Sequence, residues 1–439
     1  MTFAFRTVFS LFAILSIIFP AFPAEITRAA SPVEPSQISL SGRVTDGSGA
    51  GMEGVSVLVE GAYKICLPLV VRSGAKETAP AAAVEAQTVI TALTDAEGYY
   101  NLPELPDGQY RLWVEKGGIE FTPAEVLVNE SNSSQDFQML VLPAVIPATT
   151  RTITDLTNQY LVSIVEGVYT YSQSTPEIQD LAVGDVLVSE VSEPLAPNGY
   201  LRKVTGVSFP DGQVVANTEP ALLEEAIEDG TGYLKETLSP AKIDKMVALP
   251  GVSLAPVSPN EPLTFYYEVN NVVLLDVGGN KVTANGSITF NLEYEVYSTF
   301  DESNLRNFTF SQKSSVEDTL EITAAIDLAS LEEEVILASL VFQPVTLQIG
   351  PLPVVMVPQL DVVVGVNGSV KVGISAGVSH SLTLRAGASY SPLHGWQTYQ
   401  SLVNEYDYSP PHATLEASLK GYFGARLNLY LYGVAGPYV

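Results

Sequence analysis

The chain is poor in the side chains that most metal and redox chemistry uses. Among its 439 residues are one cysteine and three histidines. A single thiol closes no intrachain disulfide, and three scattered histidines supply no dense His/Cys metal cluster. Cations are scarce as well: 21 Lys and Arg stand against 49 Asp and Glu, a net charge of −28. So acidic a chain lacks the basic footprint of a nucleic-acid binder and is repelled by anionic membranes. Beyond the N-terminus, no apolar run is long enough to span a bilayer as a helix. In place of these features the chain is 46% hydrophobic and only 16% charged. That composition fills cores rather than staying disordered, and at about 150 residues per domain it predicts two or three of them.

The N-terminus carries an export pattern. Met1–Ala24 holds Arg6, an apolar stretch over Val8–Phe19, the breakers Pro20 and Pro23, and small Ala24. This is the layout of a secretory signal peptide. It predicts a secreted or cell-surface protein with no transmembrane span after cleavage. Pro-containing stretches at 31–36, 141–150 and 248–262 read as linkers. They leave three blocks, 37–140, 151–246 and 263–439. The middle block reads as mixed but mostly β, with one short helix expected over 219–229. There Thr218 serves as cap, Pro220 fits the first turn, Leu222, Leu223, Ala226 and Ile227 form an apolar face, and Gly230 stops it.

The first block alternates clearly. Ser41-Gly42-Arg43-Val44-Thr45-Asp46 leads through a glycine-rich turn to Gly54-Val55-Ser56-Val57-Leu58-Val59. Val55, Val57 and Val59 share one face of such a strand. Thr94-Asp95-Ala96-Glu97-Gly98-Tyr99-Tyr100 contains a tight turn, and Pro106-Asp107-Gly108 another, before Tyr110, Leu112 and Val114 alternate again. These residues resemble the carboxypeptidase regulatory-like domain, a transthyretin-like member of the carbohydrate-binding-like folds. The resemblance covers about 37–140 and implies a seven-stranded antiparallel sandwich. It implies a folding, positioning or glycan-binding module rather than a catalytic one. Residues 61–87, Ala-rich and Pro-containing, depart from it and are expected as a loop insertion. The ligand surface this resemblance suggests is aromatic: Tyr99, Tyr100, Tyr110 and Trp113. Flat rings stack on sugars and keep polar tips for hydrogen bonds. The competing reading places these rings in the core, and alternation puts Tyr100 and Tyr110 inside.

The last block is long amphipathic strand. Ile288, Phe290, Leu292, Tyr294 and Val296 alternate with polar neighbours, as do Leu382, Leu384, Ala386, Ala388 and Tyr390. Leu415, Ala417, Leu419, Phe423, Leu427, Leu429 and Leu431 fall on one parity, with Gly421 and Gly424 expected to bend the strand. Period two sustained this far predicts strands longer than the usual five or six residues, in a large antiparallel β domain. An outer-membrane barrel also alternates. Tyr422, Tyr430 and Tyr432 share a face with Lys420 and Arg426, which suits a water-soluble sheet better. The runs IGPLPVVMVPQLDVVVG and LYLYGVAGPYV resemble stretches of large, uncharacterised secreted bacterial proteins; no activity comes with that resemblance. The end of the chain directly after a strand fits a piece of something longer.

Catalytic patterns do not assemble. Gly373-Ile374-Ser375-Ala376-Gly377 matches a nucleophile-elbow spacing, but that pattern needs a strand–turn–helix, and here it interrupts a strand alternation. His380, His394 and His412 show no metal-ligand spacing. Asp46, Asp95 and Glu97 lie in turns and read as solvated acids rather than Ca²⁺ ligands. Trp396, beside His394 in a Pro/Gly loop, is a surface-site candidate. No cofactor is implied. The leading expectation is a non-catalytic secreted or surface protein that binds polysaccharide or cell-envelope glycan. The alternatives are a structural or adhesive module binding a surface protein, and an accessory region of a secreted hydrolase.

Overall fold

A computed structural model describes residues 37–66, 83–106, 109–128, 134–324, 328–370, 375–404 and 419–433. The leader over 1–24, the linker at 31–36, His412, and the alternation at Leu415 and Ala417 lie outside these residues. The fold is mainly β, 66% strand and 5% helical, as the alternation predicts.

The first unit is a sandwich of two four-stranded sheets. Its strands are β1 (Gln37–Thr45), β2 (Ser56–Cys66), β3 (Ala83–Leu93), β4 (Tyr99–Pro106), β5 (Tyr110–Glu115), β6 (Phe121–Thr122), β7 (Glu125–Val128) and β8 (Phe137–Met139). One sheet runs β4-β1-β8-β6 and the other β3-β2-β5-β7. The alternating residues meet between them: Leu40, Val57, Val59, Leu102, Leu112 and Phe137 are buried in one core. Eight strands are present where seven are expected, and β1 pairs β8 in parallel. Gly98, at φ +83 in the β3–β4 turn, sits where a Cβ would overlap the Val44 carbonyl oxygen, so the turn closes only with glycine. The loop expected over 61–87 is strand at both ends. The β2–β3 ladder runs without a break from Ser56↔Leu93 to Cys66↔Ala83. Tyr63, Ile65 and Val84 favour strand, and pairing in a hairpin satisfies the backbone groups on the facing edge of each strand.

The middle unit is a six-stranded sheet made of β9 (Thr150–Ile153), β10 (Leu161–Val165), β11 (Val168–Tyr171), β12 (Val186–Ser189), β13 (Tyr200–Ser208) and β14 (Val214–Pro220). Their order is β10-β11-β14-β13-β12-β9. A buried hydrogen-bond chain threads its core. Tyr171 and Tyr200 hydroxyls lie 3.0 Å apart, Tyr200 Oη donates to Asn158 Oδ1 at 3.0 Å, and Asn158 Nδ2 donates to Ser189 Oγ at 2.8 Å. The expected helix over 219–229 is a single turn, α2 (Leu223–Ala226), preceded by α1 (Asp155–Asn158), which the sequence reading lacks. Thr218 is not its cap. It belongs to β14, and its hydroxyl donates to the Gly167 carbonyl. The Leu222 backbone N–H is taken instead by the Glu225 carboxylate at 2.9 Å. A β-ladder reaching Pro220 leaves no room for the first turn, so pairing overrides the local helix signal.

The remaining strands build one large sandwich. They are β15 (Gly230–Thr237), β16 (Ile243–Ala248), β17 (Val252–Leu254), β18 (Phe265–Val277), β19 (Asn280–Asp301), β20 (Asn304–Ala324), β21 (Leu328–Phe342), β22 (Val345–Ile349), β23 (Leu352–Val370), β24 (Ser375–Ser391), β25 (Gly395–Asn404) and β26 (Leu419–Leu431). One sheet has the order β17-β18-β19-β20-β24-β25 with β15 also on β19; the other has β16-β21-β23-β22 with β26 on β23. Neither sheet closes on itself among the described strands. The expected block boundary moves. β15 and β16, read as part of the middle block, and β17, read as linker, are edge partners of these sheets. The partners of β15 and β16 lie dozens of residues away, which short alternation cannot announce, and β17 pairs the next strand, β18. Ile288, Phe290, Leu292, Tyr294 and Val296 are each no more than 1% exposed, and Ala425, Leu427 and Leu429 of the other sheet are buried in the same core. Phe265 and Phe290 stack at 4.8 Å, and Gln312 Nε2 donates across to the Ala425 carbonyl at 3.0 Å. β18 carries a bulge at Asn270–Asn271, opposite Gly286 of β19, and Gly286, at φ +143, sits where a Cβ would strike the Thr319 carbonyl.

Both smaller units dock on this sandwich. The middle unit contributes Val186, Val188, Ala226 and Ile227 to the large core. The first unit covers the outer face of β19, and Tyr297 is buried within its core cluster. Lys116 Nζ meets Glu295 at 2.8 Å with both side chains largely buried, and Tyr233 Oη donates to the same carboxylate at 2.6 Å. Lys313 holds Glu53 at 2.8 Å, Arg306 meets Glu120 at 3.3 Å, and Thr309 Oγ1 donates to the Gly117 carbonyl at 2.5 Å.

Two outcomes follow. Leu427→Asp places a charge in the large core and is expected to cost at least about 3 kcal/mol, whereas Asn428→Asp stays within about 0.5 kcal/mol; urea unfolding compares them. The Glu53 carboxyl is held below its ordinary 4.5, first by the hydrogen bond from Lys313, against opposing desolvation. A folded-state pKa below the unfolded one stabilises above the unfolded value and is lost as pH falls through the folded value. Thermal melts should therefore show Glu53→Gln less stable than the parent above pH 4.5, with the gap closing as the medium is made more acid.

Candidate functional site

The aromatic residues singled out in the first unit do not form one surface. Tyr100 and Tyr110 are core residues, 4% and 2% exposed. This corrects their candidacy as ligand contacts, because strand alternation turns both inward. Tyr100 Oη donates to the Gln135 carbonyl at 2.6 Å, and burial, with Asp136 nearby, pushes its hydroxyl pKa well up. The Tyr110 ring fills the space a Cβ at Gly61 would take. Tyr99 is exposed but lies on β4, with the Arg43 guanidinium 5.3 Å from its ring centre. Trp113 is half-buried on β5, in the other sheet. Its Nε1 donates to Glu115 at 2.8 Å, and Arg111 covers its ring at 5.2 Å. The two remaining rings thus sit on different sheets, each capped by a cation.

Trp396 belongs to a different arrangement. Phe308 on β20 pairs with Tyr390 on β24, which pairs with Trp396 on β25. Residues directly opposite in neighbouring strands face the same side. The rings therefore converge: Tyr390 and Trp396 centres lie 5.4 Å apart, and Phe308 and Trp396 5.6 Å apart. The next row inward on the same face, Phe310 and Ala388, is buried in the large sandwich. The aromatic row is where that core face runs past its cover into solvent. Trp396 is 59% exposed, and Leu393, in the β24–β25 turn beside it, is 84% exposed. His394 Nδ1 lies 3.3 Å from Ser391 Oγ in this turn. Trp396 was legible as a loop aromatic; Phe308 and Tyr390 were not, because only the register across three strands brings them to it.

The other chemical candidates take structural places. Ser375 opens β24 and pairs with Thr323, and strand continues to Ser391, so the nucleophile-elbow geometry is not formed. His380, farther along β24, pairs with Asp318 of β20. Asp46 Oδ1 accepts from the Ser48 and Ala50 backbone, and Asp95 Oδ1 from the Glu97 and Tyr99 backbone. These acids tie their own turns. Among the described residues, no group of three His, Cys, Asp or Glu is placed to hold a metal ion.

No family model and no curated protein matches the chain. Among solved structures it aligns with the full-length major pilin SpaD from Corynebacterium diphtheriae at 10% identity, over 65% of this chain and 66% of that one, with a TM-score of 0.18. A score that low does not establish a shared fold.

The placement of the tyrosines yields a contrast. Tyr100→Phe removes the donor to Gln135 and is expected to cost about 1–2 kcal/mol. Tyr99→Ala, on the surface, is expected to stay within about 0.5 kcal/mol. Urea denaturation of the two variants measures both.

Proposed function

We propose that this is a non-catalytic binding protein of the cell exterior that engages glycan through the Phe308–Tyr390–Trp396 platform. The observation that carries the reading is the convergence of three rings on one face, with Trp396 59% exposed. Sugar rings offer apolar faces to such a platform, and Tyr390 supplies a polar edge beside them. Presentation outside the cell rests on the leader pattern over 1–24. The two-sheet sandwich at 37–139 and its glycine turns support the carboxypeptidase regulatory-like assignment. With Tyr100 and Tyr110 in the core, that unit serves as a positioning module clamped on the large sheet rather than as the ligand surface.

A second reading is a structural or adhesive module whose partner is a surface protein. Leu393, 84% exposed beside Trp396, favours it, because an exposed aliphatic next to a tryptophan suits a protein hot spot. One experiment separates the two. Full-length protein is incubated with insoluble polysaccharides and the retained fraction measured, with Trp396→Ala and Trp113→Ala alongside. Glycan binding predicts retention that Trp396→Ala lowers at least about threefold and Trp113→Ala leaves unchanged. No retention on any polysaccharide, or retention indifferent to Trp396, contradicts it and leaves the protein-partner reading.

A further inference from the structure

A second site lies on the other side of the same sheet. Where the first unit covers the outer face of β19, β20 and β24, the two surfaces do not close completely. They leave a cleft of about 390 Å³. Its floor comes from the outer face of the sheet and its roof from two turns of the first unit, around Glu53–Gly54 and Lys116–Gly117. Junctions between packed units are favoured places for ligand sites.

The charge arrangement in this cleft is uneven. Lys313 and Arg385 are directly opposite on β20 and β24. Like charges so placed repel, and the chain has only 21 cations to distribute. One carboxylate stands between them. Glu53 is held by Lys313 at 2.8 Å, and its distance to Arg385 is 3.9 Å, longer than a hydrogen bond. Lys116 is committed to Glu295 at 2.8 Å. The Arg385 guanidinium therefore faces the cleft with its donor fork weakly engaged, about one-third exposed. Gly54, at φ +70, leaves room for it: a Cβ there would strike Arg385 Nη1. The rest of the lining is rich in acceptors and hydroxyls, among them Glu115, Glu293, Thr309 and Ser311.

We propose that this cleft binds an acidic sugar, with the carboxylate of a uronate residue on the Arg385 guanidinium and its hydroxyls on the surrounding acceptors. A planar carboxylate matches the guanidinium fork in two parallel hydrogen bonds. At the Lys313–Arg385 end two cations share the single carboxylate of Glu53, and the added carboxylate meets them there, away from Glu115, Glu293 and Glu295 elsewhere in the lining. The many hydroxyls of a sugar ring match the glutamate and hydroxyl lining. An acidic peptide offers few hydroxyls to the glutamate, threonine and serine side chains of this lining, whereas each uronate ring carries several beside its carboxylate. The site is independent of the aromatic platform.

The test is titration calorimetry of the full chain with trigalacturonate, with neutral galactotriose and hexaglutamate in parallel. Trigalacturonate should bind, and the other two should not. Arg385→Gln should weaken binding about tenfold or more, and Arg385→Lys should weaken it measurably while preserving charge. Melting temperatures close to the parent's establish that both variants fold, and Trp396→Ala should bind trigalacturonate as the parent does. Absence of trigalacturonate binding, or equal binding by the two Arg385 variants and the parent, overturns the proposal. Equal binding of hexaglutamate overturns the assignment to sugar.

Discussion

The architecture depends on the two-sided burial of one strand. Along its first half β19 behaves as an ordinary sheet strand, with an apolar face inward and a polar face out. From Tyr294 to Phe300 every residue is buried. One face belongs to the core of the large sandwich, and the other is covered by the first unit, with Tyr297 in that unit's core. Both edges are paired as well, to β15 and to β20. A strand closed on all four sides has no room for side chains that water would solvate. The one charge there, Glu295, is acceptable because Lys116 and Tyr233 take up its oxygens.

Both candidate sites arise where this closure stops. At one end of β20 and β24 the large core's inner face outruns the opposing sheet, and the row that would be core becomes the Phe308–Tyr390–Trp396 platform. On the outer face the first unit's turns do not meet the sheet everywhere, and the gap collects Lys313 and Arg385. A face built for burial exposes rings; a face built for docking exposes charges. The two surfaces differ in chemistry because they continue two different interfaces.

How much of this was legible in the sequence follows from the range of the forces involved. Alternation is a nearest-neighbour signal, so the inward parity of β19 and of Leu427 and Leu429, and the sandwich at 37–139, could be read directly. Register is not local. The assignment of β15 to β19, the convergence of Phe308 and Tyr390 on Trp396, and the opposition of Lys313 and Arg385 require knowing which strand lies beside which. The helix expected over 219–229 shrank to one turn because pairing of β14 with β13 claims residues up to Pro220. The Ala-rich, Pro-containing composition of 61–87 signals a loop, although its two ends pair as a hairpin.

The account turns on the first unit and the large sandwich sharing one buried strand. Hydrogen exchange of the full chain tests this directly. The backbone amides of 294–300 should be among the slowest to exchange, and those of β5 should open with them in the same cooperative step as denaturant is added. Fast exchange at 294–300, or opening of β5 well before that segment, would show that the two units do not share it and would contradict the account.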